Sequence, residues 1–205
     1  DAEKQQIMIF FDWIIENWIE VTGAILGIGY VFLSVKQNIL TWLLGFLTSA
    51  FYIVVFLKSG FYADMGLQIY YVWISVYGWI IWSGGIKTAD SKSDYPVSKT
   101  RKKQVVVLSV VSFFLWLSIG ILLSKYTDSV VPIGDSFTTA MGIVATWMLA
   151  RKMIEHWIIW VIVDLVSAGL YLWKGLYPTV ALYIIYTFAA IWGYIEWKKS
   201  LVKSL

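Results

Sequence analysis

Apolar residues recur along the chain in runs of bilayer-spanning length, separated by short polar breaks. A helix needs about 20 predominantly apolar residues to cross a hydrocarbon core roughly 30 Å thick. Seven stretches meet that need, at about 17–35, 39–57, 64–82, 104–124, 130–149, 153–173 and 178–197. Short breaks such as Lys36-Gln37-Asn38 and Lys58-Ser59-Gly60 divide them. The long polar segment 83–103, SGGIKTADSKSDYPVSKTRKK, reads as a loop from its Gly, Ser, Pro and mixed charge. Residues 1–16 read as an amphipathic lead-in lying at the interface. The stretch 104–124 is rich in β-branched residues, but at that length in lipid it predicts helix rather than strand. The fold class expected is an all-α membrane protein with seven transmembrane helices.

The pattern also repeats. Segment 36–82 aligns without a gap on segment 151–197 when shifted by 115 positions. Ile39 then falls on Ile154, Trp42 on Trp157, Gly60 on Gly175, Tyr62 on Tyr177, Tyr71 on Tyr186, Gly78 on Gly193 and Trp82 on Trp197. Upstream, Gly27-Ile28 falls on Gly142-Ile143. This predicts a 3+1+3 arrangement: a lead-in and first three-helix repeat at 1–83, a loop and linker helix at 84–127, and a second repeat with its tail at 128–205. Three is odd, so the linker helix is needed to bring the second copy in with the orientation of the first. Parallel repeats of this kind occur in transporters, with the substrate site at their interface near mid-membrane.

Composition sharpens this picture. The 205 residues are 60% apolar and 14% charged, whereas soluble domains run near 45–50% and about 25%. With no cysteine and His156 alone, disulfides, thiolate nucleophiles and multi-histidine metal sites are excluded. Little is left with which to build an enzyme, and no cofactor or metal is expected. A net charge of +3 suggests no nucleic-acid partner. The positions of the charges are more informative. All 16 Lys and Arg except Lys4, Lys58, Lys125 and Lys174 fall on one side of a seven-span topology. The positive-inside rule then puts the N-terminus outside and the C-terminus in the cytoplasm. The polar start DAEKQQ has no basic run leading into a short apolar one, so no cleavable signal is expected.

Candidate chemistry concentrates in the stretch 156–177, HWIIWVIVDLVSAGLYLWKGLY. Trp157, Trp160 and Asp164 share one helical face at i, i+3 and i+7. A carboxylate at membrane depth costs about 2.5–3.5 kcal/mol on insertion scales, while an acid beside two indoles suits a flat or cationic ring. The plainer account makes the indoles interfacial belt residues and Asp164 a packed polar link. Gln68, Tyr71 and Ser75 share a face of the third helix, where an amide and a phenol need partners from a ligand or another helix. Tyr183 and Tyr186 hold the equivalent places of Gln68 and Tyr71. On the second helix lie Trp42, a candidate to face Trp157, and Thr48, beside the Ser49 that occupies the place of Asp164. Gly23, Gly27, Gly45, Gly78 and Gly193 are expected to allow close helix packing rather than ligand contact. His156 is expected at headgroup level, Lys58 and Lys174 to snorkel, and Asp64 and Asp135 to cap helices or stay solvated.

At WIIWVIVD (157–164), LYLWKGLYPTVALYIIY (170–186) and QIYYVWISVYGWIIW (68–82) the chain resembles the PnuC-type nicotinamide riboside transporters of bacteria. The resemblance extends over essentially the whole chain. It implies facilitated, energy-uncoupled movement of nicotinamide riboside across the inner membrane, with trapping by a cytoplasmic kinase. It also implies a fold like that of the SWEET sugar transporters and a homotrimer surrounded by membrane lipids. By the same resemblance, Trp157 and Trp160 lie near the substrate ring, and Asp164, Gln68 and Tyr71 near the ribose. Related branches carry thiamine or riboflavin, so these are the alternative substrates.

Overall fold

A computed structural model describes residues 15, 18–59, 62–84, 95–127 and 129–203. The predicted lead-in lies outside these residues apart from Ile15, as do Gly60, Phe61 and most of the long loop. Among the described residues the chain forms seven helices: α1 (Trp18–Val35), α2 (Leu40–Ser59), α3 (Tyr62–Trp82), α4 (Lys102–Tyr126), α5 (Pro132–Ala150), α6 (His156–Trp173) and α7 (Tyr177–Lys203). The expected helices are all present. α7 runs past the expected end near 197, its last turns joined by Lys199 to Glu196 at 2.8 Å and by the Gln37 amide to Ser200 at 3.0 Å. A short extended piece precedes α4, where Ser98 bridges Met153 and Glu155 accepts from the Thr100 backbone and hydroxyl at 2.9 and 2.6 Å.

This is a multi-pass membrane protein, and its surface shows why. α4, α6 and α7 are long and apolar enough to span a bilayer by themselves, and α1 and α2 contain shorter apolar stretches at Val21–Val35 and Leu40–Val54. α4 buries none of its residues, and Val106, Phe113, Phe114, Ile121 and Leu122 are all exposed. Such a surface is a liability in water but the proper one against lipid, where each helix satisfies its own backbone.

The packed helix pairs are α1 with α2, α2 with α3, α5 with α6, α6 with α7, α1 with α7, α3 with α5, and α4 with α5. Exchanging α1, α2 and α3 for α5, α6 and α7 maps this set onto itself, apart from the α4 contact. Individual contacts follow the same shift of 115. Trp42 lies edge-on to Trp82 at 5.4 Å and Trp157 edge-on to Trp197 at 5.7 Å, both at 88°. Trp42 lies against Gly78, where a Cβ would strike its ring, and Trp157 lies likewise against Gly193. The Trp82 indole N–H donates to Ala150 O at 3.2 Å and that of Trp197 to Val35 O at 3.2 Å. The two turns behave alike too, with Gln37 at φ 53° and Lys152 at φ 47°. We call the end carrying these turns the basic end. The main core sits there, around Val35, Trp42, Trp82, Leu149, Ala150, Trp157 and Trp197.

Candidate functional site

Between this core and the opposite end lies a cavity of about 260 Å³, slightly below the roughly 300–1,000 Å³ usual for small-molecule sites. α1 contributes Gly23, Gly27 and Tyr30 to its wall; α2 contributes Gly45, Thr48, Ser49 and Tyr52; α3 contributes Gln68, Tyr71 and Ser75. From the other half come Thr146 of α5 and Trp160 of α6. The wall is thus mostly from 18–82, with one large indole reaching across.

Small residues make the space. A Cβ on Gly45 would meet the Ser75 hydroxyl at 3.0 Å and the Tyr30 ring at 3.1 Å. A Cβ on Gly142 would touch the Trp160 ring edge at 3.5 Å and the Tyr71 hydroxyl at 3.6 Å, so Trp160 and Tyr71 converge on one spot. The polar groups fall into two sets. Thr48, Ser75 and Thr146 donate to carbonyls one turn back on their own helices, at 2.8, 2.7 and 2.8 Å, and keep only acceptor capacity for a ligand. The Gln68 amide and the Tyr30 and Tyr71 hydroxyls have no hydrogen-bond partner among the described residues. No Lys, Arg, Asp or Glu lies among the described wall residues.

Five expected site residues therefore share this cavity: Thr48, Gln68, Tyr71, Ser75 and Trp160. Three others gather beside it. Asp164 is buried, within electrostatic reach of Tyr183 and Tyr186. Tyr183 stacks on Tyr171 at 5.3 Å, and Tyr186 brings its hydroxyl against Gly27 on the cavity wall.

Trp42 and Trp157 are elsewhere. Trp157 does not join Trp160 on the cavity wall, and Trp42 pairs with Trp82 and Trp157 with Trp197 rather than with each other, each ring lying against the glycine opposite it. Their indole N–H groups, and His156 Nε2, are buried without hydrogen-bond partners among the described residues. His156 is not at the protein surface. It is fully buried, its Nδ1 at 2.7 Å from Met153 O and its ring 4.5 Å from that of Trp157. Close packing holds at all five glycines: Gly78 and Gly193 lie against Trp rings, and Gly23, Gly27 and Gly45, which also line the cavity, lie against Tyr52, Tyr186, and Tyr30 with Ser75. Lys174 reaches Asp135 at 4.0 Å and lies over Tyr171, and Asp135 also accepts from Ser129 at 2.7 Å. The side chains of Lys58 and Asp64 lie outside the described part.

Sequence reasoning missed Tyr30 and Thr146. Tyr30 shares a helical face with Gly23 and Gly27, at i, i+4 and i+7, a stripe that could have pointed to an aromatic facing open space. Thr146 follows Gly142 at i+4, again on one face.

Comparison with known proteins gives the chain relatives and a family. The nicotinamide riboside transporter PnuC of Escherichia coli is 25% identical, over 90% of this chain and 86% of that protein. The riboflavin/roseoflavin transporter RibM of Streptomyces davaonensis is 27% identical, over 88% and 84%. A crystal structure of the vitamin B3 transporter PnuC superposes with a TM-score of 0.72 at 21% identity, covering 95% of this chain and 86% of that one. The family model described as nicotinamide mononucleotide transporter matches residues 17–199. The chain belongs to that family.

Proposed function

We propose that this protein carries nicotinamide riboside across the bacterial inner membrane by facilitated diffusion. The observation that carries the reading is the cavity: one large indole, the Gln68 amide and the Tyr30 and Tyr71 phenols without hydrogen-bond partners among the described residues, and no basic side chain on the described wall. A positively charged nicotinamide ring stacked on Trp160 gains about 0.5–2 kcal/mol from the ring's quadrupole. Gln68, Tyr30 and Tyr71 can hydrogen-bond a ribose, and Asp164 supplies a nearby negative charge. A phosphate dianion would have no cationic partner on that wall and would be costly to bury, so the riboside is favoured over the mononucleotide. The small volume favours a one-ring nucleoside over a flavin.

In this proposal 1–83 and 128–205 are two parallel units joined by the loop and linker helix of 84–127. Their rocking about the cavity alternates access. The symmetric helix contacts support this. The basic end is then cytoplasmic and the N-terminus outside, following the distribution of Lys and Arg. The closed core at Trp42, Trp82, Trp157 and Trp197 is the inner gate, and the unpaired N–H groups of Trp42 and Trp157 meet the substrate as that gate opens. Among the described helices α4 packs chiefly on α5, and it offers its apolar face to lipid and to a homotrimer. The solute is released unchanged, with no chemistry performed on it.

Proteoliposomes loaded with buffer test the proposal. Labelled nicotinamide riboside should equilibrate, be recovered unaltered, and be unaffected by collapse of a proton gradient, while the mononucleotide stays out. Tenfold better competition by riboflavin or thiamine than by unlabelled riboside would reassign the substrate. Failure of all three to enter would overturn the carrier reading.

A further inference from the structure

The described cavity wall carries four aliphatic hydroxyls, those of Thr48, Ser49, Ser75 and Thr146. Three of them donate to the carbonyl one turn back on their own helix, Thr48 at 2.8 Å, Ser75 at 2.7 Å and Thr146 at 2.8 Å. Ser34 and Thr187, away from the wall, do the same at 2.8 and 2.9 Å. That carbonyl is the acceptor such a hydroxyl finds first, and in a lipid-embedded helix no bulk water competes for it. Ser49 departs from this. Its hydroxyl does not bond back to Gly45 and has no hydrogen-bond partner among the described residues, although the residue is only 5% exposed. A buried hydroxyl without a partner is costly. This one is not sealed in the core as the N–H groups of Trp42 and Trp157 are; it opens on the cavity.

The place of Ser49 decides what it would meet. Gly45, Ser49 and Tyr52 line the cavity from one face of α2, at i, i+4 and i+7. Gly45 is the counterpart of Trp160 and Ser49 that of Asp164. Ser49 therefore stands one helical turn, about 5.4 Å, farther from the basic end than the level of Trp160. Gln68 lies about one turn beyond Tyr71 in the same direction, and Tyr71 converges with Trp160 beside Gly142. Toward the basic end the way is closed by the core of Trp42 and Trp82. A nucleoside whose flat ring rests on Trp160 thus extends its sugar outward, to the level of Ser49 and Gln68. A serine hydroxyl both donates and accepts, as a sugar hydroxyl does, whereas Thr48, Ser75 and Thr146 have already spent their donors. On the reading of the protein as a riboside carrier, we propose that Ser49 binds a ribose hydroxyl of the substrate and so makes the site selective for a ribosylated cation over the same ring without its sugar.

Calorimetric titration of full-chain wild type and Ser49→Ala in neutral detergent tests this. The ligands are nicotinamide riboside, its 2′-deoxy and 3′-deoxy forms, and 1-methylnicotinamide, which keeps the charged ring and lacks the sugar. Ser49→Ala should bind the riboside about five- to tenfold more weakly, as expected for one lost hydrogen bond. For at least one deoxy form, and for 1-methylnicotinamide, the substitution should change affinity less than about twofold, because the bond is absent already. The preference of the protein for the riboside over 1-methylnicotinamide should therefore fall about five- to tenfold in the variant. Its unfolding midpoint should hold or rise, since a hydroxyl without a partner has been removed. Equal riboside affinity in the two proteins would overturn the proposal. So would an equal loss for all four ligands with a lowered midpoint, the mark of a packing role. If wild type binds neither the riboside nor 1-methylnicotinamide, the carrier reading itself fails and this assignment with it. If wild type binds the riboside and the substitution has no ligand-dependent effect, only the role of Ser49 is lost.

Discussion

Segments 36–82 and 151–197 are most alike at the basic end and least alike around the cavity. At the basic end Trp42 and Trp157 lie against Gly78 and Gly193, and Trp82 and Trp197 each donate to a carbonyl of the other half. Around the cavity, Gly45 stands where the second segment has Trp160, Ser49 where it has Asp164, and Gln68 where it has Tyr183. Shared positions hold the helices together; of the divergent ones, Gly45, Ser49, Gln68 and Trp160 line the cavity, and Asp164 and Tyr183 lie beside it. One half supplies space, amide and hydroxyls, and the other the large indole and the acid.

The sharpest way to break this asymmetry is to remove the space. Gly45→Leu places a branched side chain where even a Cβ would meet Ser75 and Tyr30, and it should abolish riboside binding, measured by calorimetry on monodisperse protein with an intact unfolding transition. The shared positions offer the opposite test. Gly78→Ala and Gly193→Ala each press a Cβ into a Trp ring, so each should cost about 1–3 kcal/mol. Their melting transitions should fall by similar amounts, whereas a loss confined to one would deny the equivalence of the two halves. Asp164→Ser makes the second half resemble the first. It removes a buried carboxylate, so affinity should drop about five- to tenfold, in keeping with a charged hydrogen bond, while the unfolding midpoint holds or rises. The smallest effect is expected of Trp157→Phe: riboside affinity within about threefold of wild type, because the ring lies in the core, but slower uptake into proteoliposomes.

Much of this was legible in the chain. Bilayer-length apolar runs gave every helix among the described residues, and the offset of 115 anticipated contacts such as Trp42–Trp82 and Trp157–Trp197, because equal spacing on equal helices yields equal neighbours. Helical periodicity placed Gln68, Tyr71 and Ser75 together on the cavity wall. It also placed Trp157 with Trp160, and here it misled. A shared face of one helix does not determine depth, and Gly193 on the next helix draws Trp157 into the core while Trp160 meets the open space beside Gly142. The same blindness to neighbouring helices hid Tyr30 and the role of Gly45. His156, expected to be a polar surface group near a helix end, is buried against Trp157 and Trp197, contacts that the periodicity of one helix does not show.

The central claim is that Trp160, and not Trp157, is the platform for the substrate ring in this cavity. Calorimetric titration of nicotinamide riboside into Trp160→Ala beside wild type tests it most directly. Stacking is worth about 1–3 kcal/mol per ring, so the variant should bind at least about fivefold and up to about a hundredfold more weakly, with its unfolding midpoint little changed. Equal affinity in the two proteins would contradict the account.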